Sequence, residues 1–387
     1  MTDTRRPPSE APDRSLGLYI HWPYCSRICP YCDFNVVRGR GRTQQGEALL
    51  EAAVRDIGRQ RSEVGPRRLV SIFLGGGTPS LLPPEALRRL ISESVAAWDA
   101  GLDIEISLEA NPDDASIAHL SEIAKAGVNR LSLGVQSFQD EALALLGRNH
   151  SGAAAADAVA LARDLFPRVS LDLIHSWPGQ TPQMWRADLE TAIALEPEHI
   201  SAYELTFEHN TAFGRARDRG RLTPPDEARR ADHFALTDEV LGEAGFEAYE
   251  VSNHARGRAA RARHNLLYWQ GEDYVGVGPG AHGRLMRDGI RLASEAPRAI
   301  ERYIAAIADD VATPWEALSP EDAALERLAM GLRLKEGVPL RDLAVLAISD
   351  RRIAALVDHL EVRNERIAAR PQSRALIDRL ALELVRD

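Results

Sequence analysis

The three cysteines of this chain stand close together, and their spacing is the strongest chemical signal in the sequence. Cys25, Cys29 and Cys32 directly follow an apolar segment over 18–22. Thiolates are preferred ligands of iron–sulfur clusters, and a four-iron cluster needs one ligand for each iron. Because the chain supplies only three thiolates, the spacing predicts a [4Fe-4S] cluster with one iron open to a bound molecule.

Two other uses of the cysteines have to be weighed. A zinc site completed by His21 stays open, because zinc accepts three cysteines and one histidine, although zinc motifs usually pair their cysteines in two separated C-x₂-C units. Disulfides are disfavoured by the odd number of cysteines and by a chain of 387 residues that is 44% hydrophobic. The composition instead indicates a reduced intracellular protein.

Charge and hydropathy bound the partners and the compartment. A formal net charge of -10 argues against general nucleic-acid binding. No run approaches the roughly 18 apolar residues of a membrane span, so a cytoplasmic protein without a transmembrane segment is predicted, with peripheral membrane contact left open. Residues 1–14 are polar and proline-rich, which is typical of a disordered leader rather than a signal peptide. Four arginines between 256 and 263 form either a solvated face or a patch for acidic groups.

The elements that must position the cysteines alternate between short apolar runs and longer amphipathic segments. Strands are predicted over 18–21, 69–74, 104–108, 130–134, 169–174 and 199–204. Helices are predicted over 43–63, 84–98, 115–126, 140–146 with 152–165, 182–195 and 225–244. This rhythm predicts six βα units of a parallel sheet.

Unusual polar segments follow most of these strands. They are the cysteine loop, the glycine triplet at 75–77 with Thr78, the segment from Glu109 to Pro112, the segment from Gln136 to Phe138, and Asp172 within the fifth strand. In parallel α/β folds the carboxyl ends of the strands meet on one rim. We therefore expect these residues to lie together.

The pattern changes after residue 245. Strands are predicted over 246–251 and 274–277, flanking a polar, aromatic segment over 264–269, and three alternating glycines at 276, 278 and 280 predict tight turns. Helical periodicity returns from residue 300 and includes segments 361–369 and 374–385. The predicted division is a barrel over 15–245, a β-rich connecting region over 246–299 and a C-terminal helical, winged-helix-like domain over 300–387.

The cysteine spacing, with Tyr31 between the last two cysteines, resembles the signature of radical S-adenosylmethionine (SAM) proteins. That resemblance implies a partial (β/α)₆ TIM-like barrel in which SAM is chelated by the open iron and can be cleaved to a radical. It also implies that the glycine triplet holds the methionine end of SAM.

The other motifs are similar to those of the oxygen-independent coproporphyrinogen III dehydrogenase group. The similarity includes the segments around Tyr19, Glu109 and Gln136, Arg148, and Asp172 with Pro178. The residues that this resemblance places at SAM-contacting positions are Tyr19, Tyr31, Gly76, Gly77, Thr78, Glu109, Gln136, Arg148 and Asp172. Their types suit the task, since carboxylates and amides bind hydroxyl and ammonium groups and an arginine binds a carboxylate.

Three features separate the branches of this group. The dehydrogenase branch carries a further cysteine two residues after the third, where this chain has Phe34, and it has a longer N-terminal segment. The segment from His264 to Trp269 resembles the H-N-x-x-Y-W motif of HemW-like proteins, a branch of haem chaperones. His264 is accordingly the candidate haem ligand, His282 is its rival, and a purely structural role for the motif stays open. Ser176 and Trp177 depart from the Gly-Leu that is common in this group.

The resemblance implies a haem chaperone that binds a [4Fe-4S] cluster, SAM and haem and transfers haem to an acceptor protein. No catalytic residue is assigned, and whether SAM is cleaved stays open. The first alternative is an oxygen-independent coproporphyrinogen III dehydrogenase. The second is a radical SAM enzyme acting on an unrelated substrate.

Overall fold

The computed structural model describes residues 14–386, so the predicted leader over 1–14 lies outside the described residues apart from Arg14. The strands are β1 Ser15–Trp22, β2 Tyr24–Cys25, β3 Val37–Arg38, β4 Arg68–Gly76, β5 Asp99–Ala110, β6 Arg130–Gln136, β7 Arg168–His175, β8 His199–Glu204, β9 Glu247–Ala248, β10 Asn253–Ala255, β11 Asp273–Val277, β12 His282–Arg287, β13 Ile290–Glu295, β14 Glu316–Ala317, β15 Val338–Pro339, β16 Leu360–Arg363 and β17 Arg366–Ala369. The helices are α1 Thr43–Val64, α2 Pro84–Ala97, α3 Ile117–Lys125, α4 Asp140–Leu145, α5 Gly152–Leu165, α6 Pro182–Ala194, α7 Ala212–Asp218, α8 Glu227–Glu243, α9 Arg263–Gln270, α10 Ile300–Ala308, α11 Pro320–Gly331, α12 Asp350–Ala355 and α13 Ile377–Val385.

A twelve-stranded sheet contains every strand from β1 to β14 except β2 and β3, which pair with each other. Its strand order is β14-β13-β12-β11-β1-β4-β5-β6-β7-β8-β10-β9. The six strands from β1 to β8 in this order are parallel, and β11 extends them by pairing parallel to β1. The remaining neighbours pair antiparallel. The predicted α/β class with six βα units is confirmed, and β11 to β14 continue the same sheet.

The two faces of the parallel strands differ in chemistry because side chains alternate along a strand. On β5, Ile104, Ile106 and Leu108 face the helices and belong to the main hydrophobic core. The alternate positions, Glu105 and Glu109, carry carboxylates that contact groups of the inner face. Burying each large aliphatic side chain stabilises the fold by about 1.5–3 kcal/mol. The outward face therefore holds the barrel together, and the inward face is left for polar chemistry.

The polar, aromatic segment predicted between two strands is helix α9, which lies against the inner face. Both Glu105 carboxylate oxygens accept hydrogen bonds from the first backbone N–H groups of the helix, at Arg263 and His264 (both 3.1 Å). These N–H groups have no partner within a helix, so a buried carboxylate there satisfies them and complements the helix dipole. A Cβ on Gly17 of β1 would lie 2.8 Å from Leu267. Helix α9 therefore fills the amino-terminal half of the barrel interior.

The prediction of a helix over 361–369 is wrong, because this segment is the hairpin of β16 and β17. Asn364 and Glu365 at its tip have φ of 50° and 58°, the pair of positive values that a tight two-residue hairpin needs. Val362 pairs with Ile367, and Ile367 is fully buried in a second core with Leu328 of α11. Alternation of this kind over so short a segment is easily read as helical periodicity. The predicted strand over 246–251 is likewise reduced to β9.

Candidate cluster and ligand site

The cysteine loop leaves β1 at the carboxyl-terminal rim of the barrel. Cys25 is buried at the end of β2, and Cys29 and Cys32 are partly exposed in the following turn, where the Cys32 N–H donates to the Cys29 carbonyl (3.2 Å). Burial raises the pKa of the Cys25 thiol, and it raises the pKa of Cys32 to about 11. Bare thiolates are therefore disfavoured here, and a bound cation would have to supply the compensating charge.

The zinc alternative is disfavoured by the position of His21. Its Nδ1 is 2.9 Å from the Tyr19 hydroxyl and its Nε2 is 2.9 Å from the Asn35 carbonyl, so both ring nitrogens are engaged. Among residues 14–386 no three His, Cys, Asp or Glu side chains are grouped as ligands of one metal ion. A four-iron cluster takes one thiolate per iron, so its ligands do not have to converge on a single atom.

The glycine triplet at the end of β4 packs against the backbone that leads into the cysteine loop. Gly76 has φ of 107°, a value that favours glycine. A Cβ on Gly77 would lie 2.7 Å from the Tyr24 carbonyl oxygen, and the Gly77 and Thr78 N–H groups donate to the carbonyls of Trp22 (2.8 Å) and Tyr24 (2.9 Å). The triplet therefore forms a cradle that only glycine allows.

Two partly buried carboxylates face each other across the inner face of the sheet. Glu109 of β5 accepts the Gly76 N–H through Oε2 (3.0 Å), and Asp172 of β7 accepts the Ser132 hydroxyl through Oδ2 (2.9 Å). Burial, with the charge of Asp172, raises the pKa of Glu109 to about 7. Burial also raises the pKa of Asp172. A cationic ligand placed between them would favour both ionised forms.

Arg148 links the cysteine loop to the ends of β5 and β6. Its Nη1 lies 3.5 Å from the Cys29 sulfur, and its Nη2 donates to Asn111 Oδ1 (2.5 Å) and to the Gly134 carbonyl (2.8 Å). Asn111 also donates to Thr78 Oγ1 (3.3 Å). At the end of β6, Gln136 has φ of 67°, a strained value for a non-glycine residue, and such strain is characteristic of functional sites.

The structure thus brings six of the predicted residues together on one rim, and we call this set the polar rim: Gly76, Thr78, Glu109, Gln136, Arg148 and Asp172. Gly77 lies beneath it. Tyr19 is on the inner face of β1 with its hydroxyl on His21, and Tyr31 packs 6.3 Å from Phe213, ring centroid to centroid. Burial raises the pKa of both tyrosines, so both are neutral donors.

The polar rim and the cysteine loop fit the predicted cofactors. Three thiols surround a turn beside a cationic guanidinium, which suits an anionic cluster. Carboxylates and an amide lie across from an arginine, which matches a ligand with an ammonium group, hydroxyls and a carboxylate. The glycine cradle lets backbone groups approach such a ligand closely.

His264 does not lie on the rim. It is 1% exposed within α9, where its Nδ1 is 2.9 Å from Ser71 Oγ and its Nε2 is 2.7 Å from the Tyr268 hydroxyl. Its ring stacks on Phe73, with centroids 5.1 Å apart. Burial lowers its pKa to about 3, so it is neutral. Because both ring nitrogens of His264 are engaged, this histidine positions the Tyr268 hydroxyl and does not present a free nitrogen to a ligand.

A cleft of about 520 Å³ opens beside the polar rim, between β11, β12 and α11. It shares Tyr19, Gly76 and Glu109 with the candidate SAM site. We call its outer part the aromatic cleft, defined by Phe34, Tyr268, Tyr274, His282, Arg298 and Met330. Sequence reasoning named His282 and Phe34 but missed Arg298 and Met330, which carry no motif and come from distant segments.

The structure bears on two further features of the sequence, Ser176 and the arginines at 256–263. Ser176 has φ of 62°, which is the left-handed region that glycine favours, and its backbone N–H donates to Gln180 Oε1 (2.5 Å). The arginines at 256–263 do not form one patch. Arg261 pairs with Glu247 and Glu336, and Arg263 pairs with Asp103.

Comparisons with known proteins agree with this geometry. A sequence model described as the Radical SAM superfamily matches residues 19–192. The chain is 42% identical over 289 residues to the "Radical S-adenosyl methionine domain-containing protein 1, mitochondrial" of Bos taurus, covering 74% of this chain and 65% of that protein, slightly less than two thirds of its length. It is 39% identical to the "Heme chaperone HemW" of Synechocystis sp., covering 83% of this chain and 79% of that protein. For the protein of the same name from Bacillus subtilis the identity is 35%, covering 83% and 84%.

Among solved structures, coproporphyrinogen III oxidase (HemN) from Escherichia coli, described as a radical SAM enzyme, is similar with a TM-score of 0.80. The similarity covers 96% of this chain and 90% of that one. The sequences are 21% identical, so this likeness shows a shared fold.

No helix among residues 14–386 is long and apolar enough to cross a membrane.

Proposed function

Because the chain belongs to the radical SAM superfamily, and within it to the family of HemW haem chaperones and their mitochondrial relatives, we propose that it is a haem chaperone. In this proposal it holds a [4Fe-4S] cluster and SAM at the barrel rim, binds haem beside them and transfers haem to an acceptor protein. Membership of the superfamily implies the cluster and SAM, and haem transfer is the further step.

The observation that carries the proposal is Phe34. In the porphyrinogen-oxidising branch a further cysteine follows the third at this position, whereas here a phenylalanine that is 63% exposed borders the aromatic cleft. An exposed aromatic side chain at a pocket mouth is typical of a surface that meets a ligand or a partner. The residue that marks the enzymatic branch is thus replaced by one suited to contact a flat apolar molecule.

The residues of the chain divide the work in this proposal. Cys25, Cys29 and Cys32 would hold the cluster, whose open iron supplies a coordination site for SAM. Glu109 and Asp172 would accept hydrogen bonds from the ligand, and Arg148, which lies 3.5 Å from the Cys29 sulfur, would bind its carboxylate. Hydrogen bonds to the strands keep Glu109, Asp172 and Arg148 in fixed positions, so the ligand would be oriented beside the aromatic cleft.

The test is haem retention and delivery by the anaerobically reconstituted protein. We expect haem to remain with the protein through gel filtration and to move to apomyoglobin, followed by the Soret band of each separated protein. Cys25→Ala, Cys29→Ala and Cys32→Ala are expected to lose the cluster, measured as bound iron and sulfide. Failure of the intact protein to retain haem would contradict the proposal. So would conversion of coproporphyrinogen to protoporphyrinogen with reduced cluster and SAM.

A further inference from the structure

His282 differs from every other histidine of the chain in its hydrogen bonding. Among residues 14–386, which contain all eleven histidines, ten have a ring nitrogen within hydrogen-bond distance of a protein oxygen. His282 has none, and its side chain is 51% exposed. A haem ligand needs a ring nitrogen with a free lone pair that the cargo can reach. Of the histidines, His282 alone meets both conditions in the aromatic cleft.

The alternating glycines at 276, 278 and 280 determine where His282 lies. A Cβ on Gly276 would be 2.3 Å from the His282 carbonyl oxygen, and one on Gly278 would be 2.4 Å from the His21 carbonyl oxygen. The start of β12 therefore passes unusually close to β11, and the turn before it packs directly on β1. The proposed function leaves this glycine pattern unexplained, and its structural effect is to bring His282 to the cleft.

The turn is also tied to the cysteine loop. Asn35, three residues beyond Cys32, donates through Nδ2 to the carbonyls of Pro279 (3.0 Å) and Arg298 (2.9 Å). His21 Nε2 contacts the Asn35 carbonyl (2.9 Å). His282 and Arg298 therefore stand on a backbone that is fixed to the rim.

The walls of the aromatic cleft suit a flat apolar molecule with acidic edges. The rings of Tyr268 and Tyr274 meet edge to face, with centroids 4.4 Å apart, and Met330 lines the same cleft. The Arg298 guanidinium forms no ion pair with any residue of the described range 14–386, so it is available to a carboxylate. The whole cleft, including the part that it shares with the candidate SAM site, has a volume of about 520 Å³, within the ordinary range for ligand sites.

A carboxylate of the protein lies next to His282. Glu295 of β13 is the cross-strand partner of His282, and its Oε1 lies 3.9 Å from His282 Nε2. Metal-binding histidines usually present one nitrogen to the metal and turn the other toward a carboxylate or carbonyl, which raises the basicity of the ligand. In the pair on β12 and β13 the carboxylate stands near Nε2 but beyond hydrogen-bond distance, so a small side-chain movement would bring the two groups together and leave Nδ1 for the iron.

We propose that His282 is the axial ligand of haem iron in the aromatic cleft, with Arg298 facing a haem propionate, and that His264 is a buried positioning residue for Tyr268. This inference rests on the proposed haem-carrier function. One bond forms, from the lone pair of an imidazole nitrogen to the iron, and no electron transfer is required.

The experiment compares haem binding by the intact protein and by His282→Ala, with His359→Ala as the matched control. His359 is an exposed histidine of the C-terminal part that does not line the cleft. Loss of the ligand should weaken haem binding by at least about 10-fold, since disturbing even the outer partners of metal ligands costs about 10- to 100-fold. His359→Ala should bind haem as the intact protein does. Metal-free protoporphyrin IX should bind the intact protein and His282→Ala alike, because it offers no iron.

His282→Tyr gives a spectroscopic test that does not depend on the measured haem affinity or on whether His282→Ala folds. A phenolate is an alternative axial ligand of haem, so this variant should retain haem with a changed Soret position and changed resonance Raman lines. An unchanged spectrum in His282→Tyr, or unaltered haem binding by His282→Ala, would overturn the inference and leave the proposed function standing. Failure of the intact protein itself to bind haem would instead remove the proposed function.

Discussion

The polar rim and the aromatic cleft are neighbours on the same barrel, yet they are built in opposite ways. In the polar rim, Arg148, Glu109 and Asp172 are each held by hydrogen bonds to strands or strand ends. In the aromatic cleft, His282 has no such partner, Arg298 has no ion pair within 14–386, and Phe34 is largely exposed. The preorganised polar rim is suited to keep a cofactor in one geometry. The aromatic cleft, whose side chains have few partners, has groups free to bind and release a cargo.

The two regions share one support, which is helix α9, and this gives the largest expected effect. Glu105→Ala removes a fully buried carboxylate that caps α9 and pairs with Arg168 (3.2 Å). Removing one partner of a buried ion pair costs about 3–5 kcal/mol. We expect the free energy of unfolding to fall by this amount, measured as a lower midpoint of urea denaturation. SAM binding and haem binding should both weaken.

The matched control for this change is Glu51→Ala. Glu51 also pairs with an arginine, Arg89 (Nη2 to Oε2, 2.8 Å), but on an exposed surface. We expect almost no change in the urea midpoint. If Glu105→Ala weakened SAM binding and left haem binding intact, α9 would not be a shared support.

The next effect should separate the two regions. Gly77→Ala would place a Cβ 2.7 Å from the Tyr24 carbonyl oxygen and 2.8 Å from the Pro23 carbonyl carbon, both backbone atoms. Overpacking of this kind costs about 1–3 kcal/mol. We expect weaker SAM binding by calorimetry with haem binding retained.

Gly58→Ala serves as the control for the extra methyl group. Gly58 lies within α1, and a Cβ there meets nothing within 4 Å. Alanine should stabilise this helix by about 0.5–1 kcal/mol. Equal losses of SAM and haem binding in Gly77→Ala would show that the cradle supports both regions.

The effect that is smallest per pH unit is a pH dependence confined to the polar rim. The pKa of Glu109 is about 7 in the folded chain, against an ordinary value of 4.5. Between these values the unfolded chain loses this proton while the folded chain keeps it, so the free energy of unfolding falls by up to about 1.4 kcal/mol per pH unit. Below about pH 4.5 and above about pH 7, Glu109 adds nothing to the change of the free energy of unfolding with pH.

Glu109→Gln should remove this slope from urea denaturation series measured across the window. SAM binding should tighten with rising pH up to about 7 in the intact protein, because its ammonium favours the ionised carboxylate, and should be flat in Glu109→Gln. Haem binding should follow neither trend, and a parallel pH dependence of haem binding would contradict the separation of the two regions.

The parts of the fold that the sequence could reveal are those with local signals. The six parallel strands are apolar runs followed by amphipathic helices, and His199–Glu204 was predicted to the residue. The hairpin of β16 and β17 was missed because its turn, Asn364 and Glu365, lacks the usual glycine. The inner placement of α9 was missed for another reason: it depends on Glu105, which lies 158 residues away in sequence from Arg263.

The candidate site shows the same division. The cysteines and the glycine triplet have fixed spacings, so motifs revealed them. The side of the aromatic cleft formed by Tyr274, Arg298 and Met330 depends on how β11 and α11 meet the barrel, which no spacing encodes. Ser176 was noted as a departure from glycine, and its φ of 62° shows that the backbone kept the glycine conformation.

Helix α9 has one more consequence, which concerns the traffic of ligands. Since it fills the amino-terminal half of the barrel interior, it blocks that end, and the polar rim and the aromatic cleft lie on the carboxyl-terminal side. Under the proposed function, haem enters and leaves on that side. A donor and an acceptor protein would then compete for one face of the molecule, and delivery would proceed in sequence: loading, departure of the donor, docking of the acceptor and release.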